Sequence, residues 1–225
     1  MTLGVVLLAA SPDAGEPDQG SVSGGADGRE ANSSGDGATG TSAPEDLSFL
    51  CDGTFGTGEA DLDAEARDRV QAEAEEFVLT AYGAPGADAA KYEKSVEELV
   101  VDECFWQSLA SGNVNEMVEV ARRGGKAKAP SGSYDSPTFA RKLVLFDIEY
   151  AQRGKDYDSG VSYTTVDGTA VWVSEESNGH ASAWQESLRL VNSPDAGVDW
   201  KVLSGQAIPP YVDPEYDGYL PAGLR

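Results

Sequence analysis

Apolar residues recur at spacings of three and four in the segment "DLDAEARDRVQAEAEEFVLTAYG". The positions that share this spacing are Ala66, Val70, Ala74, Phe77, Val78 and Ala81. The period places them on one face of a helix, which Asp61 or Asp63 can cap and Gly83 can end. With the shorter helical patterns that follow, the spacing predicts a helical half over 62–124.

Three further helices are predicted in this half. One follows Pro85, and a short one lies in "DECFWQSLAS". The last lies in "NVNEMVEVARRGG", where Asn113 followed by Glu116 is typical of a capping box and Gly124–Gly125 of a helix end.

From Phe139 onward the period shortens to two, which is typical of strands. The predicted strands are "LVLFDIEYAQ", "GVSYTTV", "TAVWVSEES", "SAWQESLRLV" and "VDWKVLSG". Asp167–Gly168, Asn178–Gly179 and Pro194–Asp195 separate neighbouring strands as predicted turns. Helices followed by short strands with turns predict an α+β domain, with N-terminal helices packed on an antiparallel sheet.

The fourth predicted strand has two distinct faces. Trp184, Glu186, Leu188 and Leu190 would point one way, and Gln185, Ser187, Arg189 and Val191 the other. Such a strand is expected to be half-buried. In "LVLFDIEYAQ", alternation predicts that Tyr150 stays inside with Phe146, while Asp147 and Glu149 become exposed.

Composition divides residues 12–225 into three parts. Residues 1–60 hold ten acids and one base, and a stretch so poor in apolar side chains cannot offset the entropy cost of ordering. We therefore predict a disordered acidic linker over 12–47, a domain over 48–208 and an extended proline- and tyrosine-rich tail over 209–225. The net charge of −23 argues against nucleic acid as a partner, because an acidic surface repels phosphates.

The apolar residues 1–11 are too few for a transmembrane helix, which needs about 20. They have the length of the apolar part of a signal peptide, although no basic residue precedes Arg29. We expect a remnant of a signal peptide or membrane anchor and a location outside the cytoplasm. In an exported chain, the two cysteines, Cys51 and Cys104, predict a disulfide; the alternative is two buried free thiols.

Over 62–205 the chain resembles the nuclear-transport-factor-2-like superfamily. The resemblance is carried by "AEEFVLTAYG", "YEKSVEELV", "DGTAVWVSEES", "ESLRLV" and "VDWKVLSG". It implies a curved, cone-like sheet wrapped by helices. Many members hold a small apolar ligand or act as small enzymes, whereas exported bacterial members are often accessory or assembly modules. The acidic arm and the tail depart from the family pattern.

Aromatic residues are the candidates for lining a pocket in such a cone. Tyr150, Trp172 and Trp184 would line it, although large aromatic side chains more commonly fill a core. Asp147 and Glu149 would form an acid–base pair only if their face turned inward. His180, the single histidine, falls in a predicted turn. We therefore assign no catalytic residue, metal ligand or cofactor.

Bases concentrate around a glycine-, proline- and serine-rich loop. Arg122, Arg123, Lys126 and Lys128 form a possible docking patch for an anionic partner or wall polymer, the alternative being a solvated loop. The function expected from these features is a non-catalytic extracytoplasmic binding or assembly module. A small apolar-ligand-binding protein or enzyme of the same fold is the first alternative, and a cytosolic structural protein the second.

Overall fold

A 3₁₀ turn and one short strand come first along the described chain, four helices follow, and the four long strands come after them. The chain divides into units 1–40 and 41–225, and all described residues lie in the second unit. The computed structural model describes residues 47–51, 56–125, 139–175, 181–207 and 212–224. The helices are α1 (Ala64–Ala81), α2 (Ala89–Glu97), α3 (Asp102–Phe105) and α4 (Ala110–Arg122), and the strands are β1 (Gly56–Glu59), β2 (Phe139–Lys155), β3 (Ser162–Glu175), β4 (Ala181–Ser193) and β5 (Val198–Ala207).

The sequence allowed two N-caps for helix α1, Asp61 and Asp63, and the cap is Asp63. Its carboxylate accepts a hydrogen bond from the Ala66 amide at 2.8 Å, which satisfies one of the unpaired amides of the first turn. At the other end, the Ala140 amide donates to the Tyr82 carbonyl at 2.7 Å. This bond fixes the end of α1 to the beginning of β2.

Helix α4 begins four residues earlier than the capping box at Asn113 predicts, because its N-cap is Leu109. Asn113 is an interior residue of the helix, and α4 begins at Ala110 without a side-chain cap. Ala110 is fully buried, and a β-carbon at Gly205 would lie 2.8 Å from that of Ala110. Close packing on the sheet therefore extends the helix back by a turn, whereas Gly124, with a φ of 79°, ends it as predicted.

The five strands form one antiparallel sheet in the order β1-β2-β3-β4-β5. Strand β1 was not predicted, because its sequence, "GTGE", has no apolar alternation; it pairs with the end of β2 at the sheet edge. The predicted turn at Pro194–Asp195 is confirmed as a 3₁₀ turn between β4 and β5. Asn178–Gly179 and His180 lie outside the described residues.

The predicted turn at Asp167–Gly168 is wrong. Both residues lie inside β3, which is one continuous strand. Gly168 is required there by packing, because a β-carbon would lie 2.6 Å from the ring of Phe146 and 2.5 Å from the Asp147 carbonyl. Asp167 faces Arg189 on β4 and forms an ion pair with it. The two turn-forming residues therefore serve packing and pairing between strands.

Strand β2 does not alternate regularly, and the prediction that Tyr150 stays inside is wrong. The register of β2 against β3 shifts between Ala140 and Lys142, between Leu143 and Leu145, and between Ile148 and Tyr150. An added residue in one strand moves the following side chains to the other face. Tyr150 is consequently 45% exposed.

One face of the sheet, the inner face, is covered by helices. Buried residues of α1, α2 and α4 share a single core with residues of all the long strands. On β4, Leu188 and Leu190 belong to this core and Trp184 packs against it, so the predicted inward face of that strand is confirmed. The result is an α+β fold with helices packed on an antiparallel sheet, as predicted.

The opposite face, the outer face, is covered at its two ends by segments from the two ends of the described chain. At one end, Leu50 and Cys104 pack with Tyr163 and Val191 in what we call the disulfide cluster. At the other end, residues 212–224 lie against Val171 in what we call the tail cluster. The described part of the predicted tail therefore lies against the body of the domain.

Candidate ligand-binding groove

Aromatic side chains fill the inner core where the sequence suggested a pocket. The ring of Trp172 stacks on that of Tyr82, with 5.6 Å between centroids, and on that of Trp184, with 5.5 Å. Phe77, which is fully buried, meets the ring of Tyr82 edge-on at 5.8 Å. Trp172 and Trp184 are thus brought together by stacking on each other.

Tyr150 does not join these two tryptophans. Its register partner on β3 is Asp167, whereas Trp172 lies opposite Leu143. Val166 and Ala170 belong to the inner core, so alternation directs Asp167 to the outer face. The three residues predicted as one pocket lining therefore lie on opposite faces of the sheet.

A buried carboxyl group completes the inner core. Glu186 is 2% exposed, and the Tyr82 hydroxyl donates a hydrogen bond to its Oε1 at 2.6 Å. Burial raises the pKa of Glu186 to about 8, and the bond from Tyr82 partly opposes this rise. The carboxyl is therefore mainly protonated at neutral pH, because burial disfavours its charged form.

The middle of the outer face is a polar band between the disulfide cluster and the tail cluster. On β3, Asp167 and Thr169 lie between Tyr163 of the first cluster and Val171 of the second. On β4, the register places Arg189 opposite Asp167 and Ser187 opposite Thr169. On β5, Ser204 pairs with Arg189 and Gln206 with Ser187.

An ion pair lies at the centre of this band. The Arg189 Nε donates to Asp167 Oδ1 at 2.6 Å, and its Nη2 donates to Oδ2 at 3.0 Å. Both side chains are about two-thirds buried, with 37% and 29% exposed. Hydrogen bonding to Asp167 is the main cause that raises the pKa of Arg189 above its ordinary value. This two-bond geometry holds the guanidinium plane in place.

An open groove, which we call the outer-face groove, runs from the ion pair to the junction of α3 and α4. Its volume is about 410 Å³, and a smaller groove of about 190 Å³ continues toward the Cys51–Cys104 disulfide. The larger groove is lined by Gln107, Ser108, Leu109, Asp167, Ser187, Arg189, Ser204, Gly205 and Gln206. A volume of this size lies in the usual range of small-molecule sites, ~300–1,000 Å³.

One buried hydroxyl in the groove wall has no hydrogen-bond partner in the described part of the chain. Ser108 Oγ is buried, and it forms no hydrogen bond within the described part of the chain. Neighbouring Ser111 is satisfied, since its Oγ donates to the Ser108 carbonyl at 2.6 Å. Because a buried hydroxyl without a partner is destabilising, Ser108 marks a position where a bound group would be stabilised.

A second groove, of about 370 Å³, lies at the beginning of α1. It is lined by charged side chains of both signs, and several already have partners: Asp63 caps α1, and Arg69 pairs with Asp199. Among the described grooves, the outer-face groove offers more uncharged hydrogen-bonding groups. We therefore take the outer-face groove as the candidate site.

The two acids of β2 are exposed, as the simpler interpretation predicted. Thr169 Oγ1 donates to Glu149 at 2.5 Å, and the Tyr216 hydroxyl donates to Asp147 at 3.4 Å. Both partners lie on the outer face. No pairing of these acids inside the core is seen, so they do not form the inward acid–base couple.

The predicted docking patch falls only partly within the described residues. Arg122 donates to Glu119 at 2.6 Å, which offsets its charge, and Arg123 is an exposed residue that follows α4. Lys126 and Lys128 lie outside the described residues. The patch therefore stays a prediction.

The predicted disulfide is present and joins two segments that cover the outer face. Cys51 follows the 3₁₀ turn Ser48–Leu50, and Cys104 lies in α3, with 4.8 Å between their α-carbons.

In the described ranges, no three histidine, cysteine, aspartate or glutamate side chains lie close enough together to hold a metal ion. None of the helices described combines the length and apolar character needed to cross a membrane.

The sequence indicated the groove residues only in part. Ser187 and Arg189 were assigned to the outward face of β4, and this assignment is confirmed. No local pattern in the sequence indicated Gln107 and Ser108. They line the groove because the chain passes around β5 between α3 and α4. The outward polar row of β4 was the one pattern that pointed to this face.

Comparisons with known proteins give no family assignment. No family model matches the chain, and no curated protein does. Among solved structures, the chain is similar to one described as "Ntf2 like protein involved in plasmid conjugation", with 10% identity and a TM-score of 0.27. The match covers 65% of this chain and 50% of that one, so it spans about half the length of the solved protein.

Proposed function

We propose that this chain is a non-catalytic binding module that works outside the cytoplasm and takes its ligand in the outer-face groove. One observation carries the proposal: the inner core is filled by the stack of Tyr82, Trp172 and Trp184, while the groove beside Arg189 is open. A ligand or partner would meet the groove without displacing core side chains.

The disulfide supports a location outside the cytoplasm. Disulfides persist in oxidising compartments and are rare in reducing ones. The Cys51–Cys104 bond also covers the disulfide cluster and borders the smaller groove. In this proposal the acidic stretch 12–47 is a tether that holds the domain near a membrane or cell wall.

Co-sedimentation with cell-surface material of the source organism tests the proposal. The labelled, oxidised full chain is mixed with purified surface material, and the sedimenting fraction is measured. Gln206→Trp, an exposed change in the groove wall, should reduce sedimentation strongly. Gln71→Trp, an equally exposed change on α1, is the matched control and should leave it unchanged.

Location is measured in the same organism by fractionation with thiol alkylation. The proposal expects the chain outside the cytoplasm with both thiols protected. Equal sedimentation of the Gln206→Trp and wild-type proteins would overturn the groove as the binding site, and a cytoplasmic chain with free thiols would overturn the location.

A second candidate function is a small-ligand site or enzyme in the inner core. It is favoured by two groups: the protonated Glu186 beside Tyr82, and the buried indole N–H of Trp172, which has no acceptor in the described residues. Titration with cyclohexanone, whose carbonyl could accept from that N–H, tests this alternative. Saturable quenching of tryptophan fluorescence that Trp172→Phe abolishes would support it, and non-saturable quenching would contradict it.

A further inference from the structure

We propose that the outer-face groove binds a neutral saccharide, with Tyr150 as the aromatic platform beside it. This inference rests on the proposed function and names the ligand class of the same site. It follows from the charge of the groove, its hydrogen-bonding groups, its neighbouring aromatic ring and its place on the sheet.

The charge of the groove favours a neutral ligand. Its charged residues, Asp167 and Arg189, neutralise each other through two hydrogen bonds. The whole chain carries a net charge of −23, which repels polyanions. A cationic ligand would need an unpaired carboxylate, and the one carboxylate in the lining is held by Arg189.

The remaining polar groups suit a ligand rich in hydroxyls. Ser187 and Ser204 each offer a donor and acceptors, and Gln206 offers an amide. The Gln107 amide donates to the Glu103 carbonyl at 2.7 Å, which leaves its oxygen as an acceptor. Buried Ser108 Oγ has no partner in the described chain. Sugar hydroxyls both donate and accept, so they can satisfy such a mixed set.

Tyr150 supplies a flat apolar surface at the end of this band. It pairs in register with Asp167, so the two β-carbons lie about 5 Å apart on the outer face. Its ring is 45% exposed. The C–H groups on one face of a pyranose ring pack well on an exposed aromatic ring, which combines an apolar body with a polar tip.

A peptide fits the groove less well. Peptides that bind by strand addition need an open sheet edge and pockets for alternate side chains. This groove lies on the face of the sheet, and Leu109 is the one large apolar side chain in its lining. A polar wall with a paired charge at its centre therefore favours a sugar over a peptide.

The test is a titration of the oxidised full chain with four neutral tetrasaccharides: cellotetraose, maltotetraose, xylotetraose and tetra-N-acetylchitotetraose. Calorimetry gives the dissociation constant, and amide chemical shifts give the site. We expect at least one to bind with a dissociation constant below about 1 mM and to shift the amides of Ser187, Ser204 and Gln206.

Two substitutions and two matched controls make the result specific. Tyr150→Ala and Gln206→Ala should each weaken binding by about tenfold or more, the equivalent of one lost contact. Tyr157→Ala removes a tyrosine that is 87% exposed in the β2–β3 connection, and Gln71→Ala removes an exposed glutamine on α1. Both controls should leave the dissociation constant unchanged.

Three results would overturn the inference. The first is that none of the four sugars binds, and the second is that the controls weaken binding as much as Tyr150→Ala and Gln206→Ala do. The third is that a pool of uncharged tetrapeptides shifts the groove amides while the sugars do not, which would leave the proposed binding function standing. If neither sugars nor peptides shift these amides and surface material still fails to bind, the proposed function fails as well.

Discussion

The Tyr82 hydroxyl donates a 2.6 Å hydrogen bond to Glu186 across the buried core, joining the residue that caps the end of α1 to strand β4. Both groups are enclosed by the helices and the sheet. Burial raises the pKa of Glu186 to about 8 and that of Tyr82 well above its ordinary value. The carboxyl of Glu186 is therefore neutral in the folded chain over a pH range where the unfolded chain ionises it.

The first prediction concerns the pH dependence of stability. Glu186 ionises near pH 4.5 in the unfolded chain and near 8 in the folded one. Between these values the unfolded state binds fewer protons, so the free energy of unfolding should fall by about 1.4 kcal/mol per pH unit relative to Glu186→Gln. Urea unfolding of both proteins from pH 4 to 9 measures this difference.

Tyr82→Phe is the control for that prediction. It removes the donor that lowers the pKa of Glu186, so the loss of stability relative to the double variant Tyr82→Phe/Glu186→Gln should extend to higher pH. The variant should also be about 1–3 kcal/mol less stable, because a buried oxygen loses its partner. A difference between the wild type and Glu186→Gln that does not change with pH would contradict the assignment.

The second prediction concerns the disulfide. Replacing Cys51 and Cys104 with alanine removes a link between residues 53 positions apart. The chain-entropy relation gives a loss of about 4 kcal/mol in the free energy of unfolding. Denaturant unfolding measures it, and a reductant should lower the stability of the wild type but not of the alanine variant. An equal effect of reductant on both proteins would argue against the link.

The third prediction concerns the contact of α4 with the sheet. A β-carbon at Gly205 would lie 2.8 Å from the Ala110 β-carbon and 2.9 Å from Glu186 Oε1. Gly205→Ala should therefore cost about 1–3 kcal/mol of stability through overpacking.

Gly112→Ala is the matched control for this change. Gly112 lies within α4, and a β-carbon there would meet nothing within 4 Å. That substitution should stabilise the protein by about 0.5–1 kcal/mol, since alanine favours the helix. Thermal unfolding compares the two variants, and a stabilising Gly205→Ala would show that the contact is looser than described.

The fourth prediction compares two ion pairs. Asp167–Arg189 is about two-thirds buried and has two hydrogen bonds, whereas Arg122–Glu119 is about half exposed and has one. Double-mutant cycles should give a coupling energy of about 1 kcal/mol for the first pair and about 0.3–0.5 kcal/mol for the second. Equal coupling energies would contradict the conclusion that the two hydrogen bonds to Asp167 hold the Arg189 guanidinium in place.

The sequence predicted those parts of the fold that depend on local pattern. The apolar spacing of α1 and the alternation from Trp184 to Val191 are strong, and both predictions are confirmed. Its failures arise where distant contacts decide the structure. Asp167–Gly168 has the composition of a turn, yet Phe146 and Arg189 keep it in a strand. The shifts in β2 that expose Tyr150 leave no mark in the local sequence.

The candidate groove could not be predicted as a unit. Ser187 and Arg189 were placed on an outward face, but a groove also needs walls. Gln107 forms one of these walls because the chain bends around β5 between α3 and α4. The tail and disulfide clusters bound the groove at its ends, and both arise from contacts between segments far apart in sequence.

The disulfide also fixes how the domain would carry mechanical load. A pull on the chain ahead of Cys51 passes through the sulfur–sulfur bond directly to α3, which packs beside β5. Residues 52–103, which include α1 and α2, lie in the loop that this covalent path bypasses. Stretching would then act first on α3 and on the β5 side of the sheet, against which Cys104 packs.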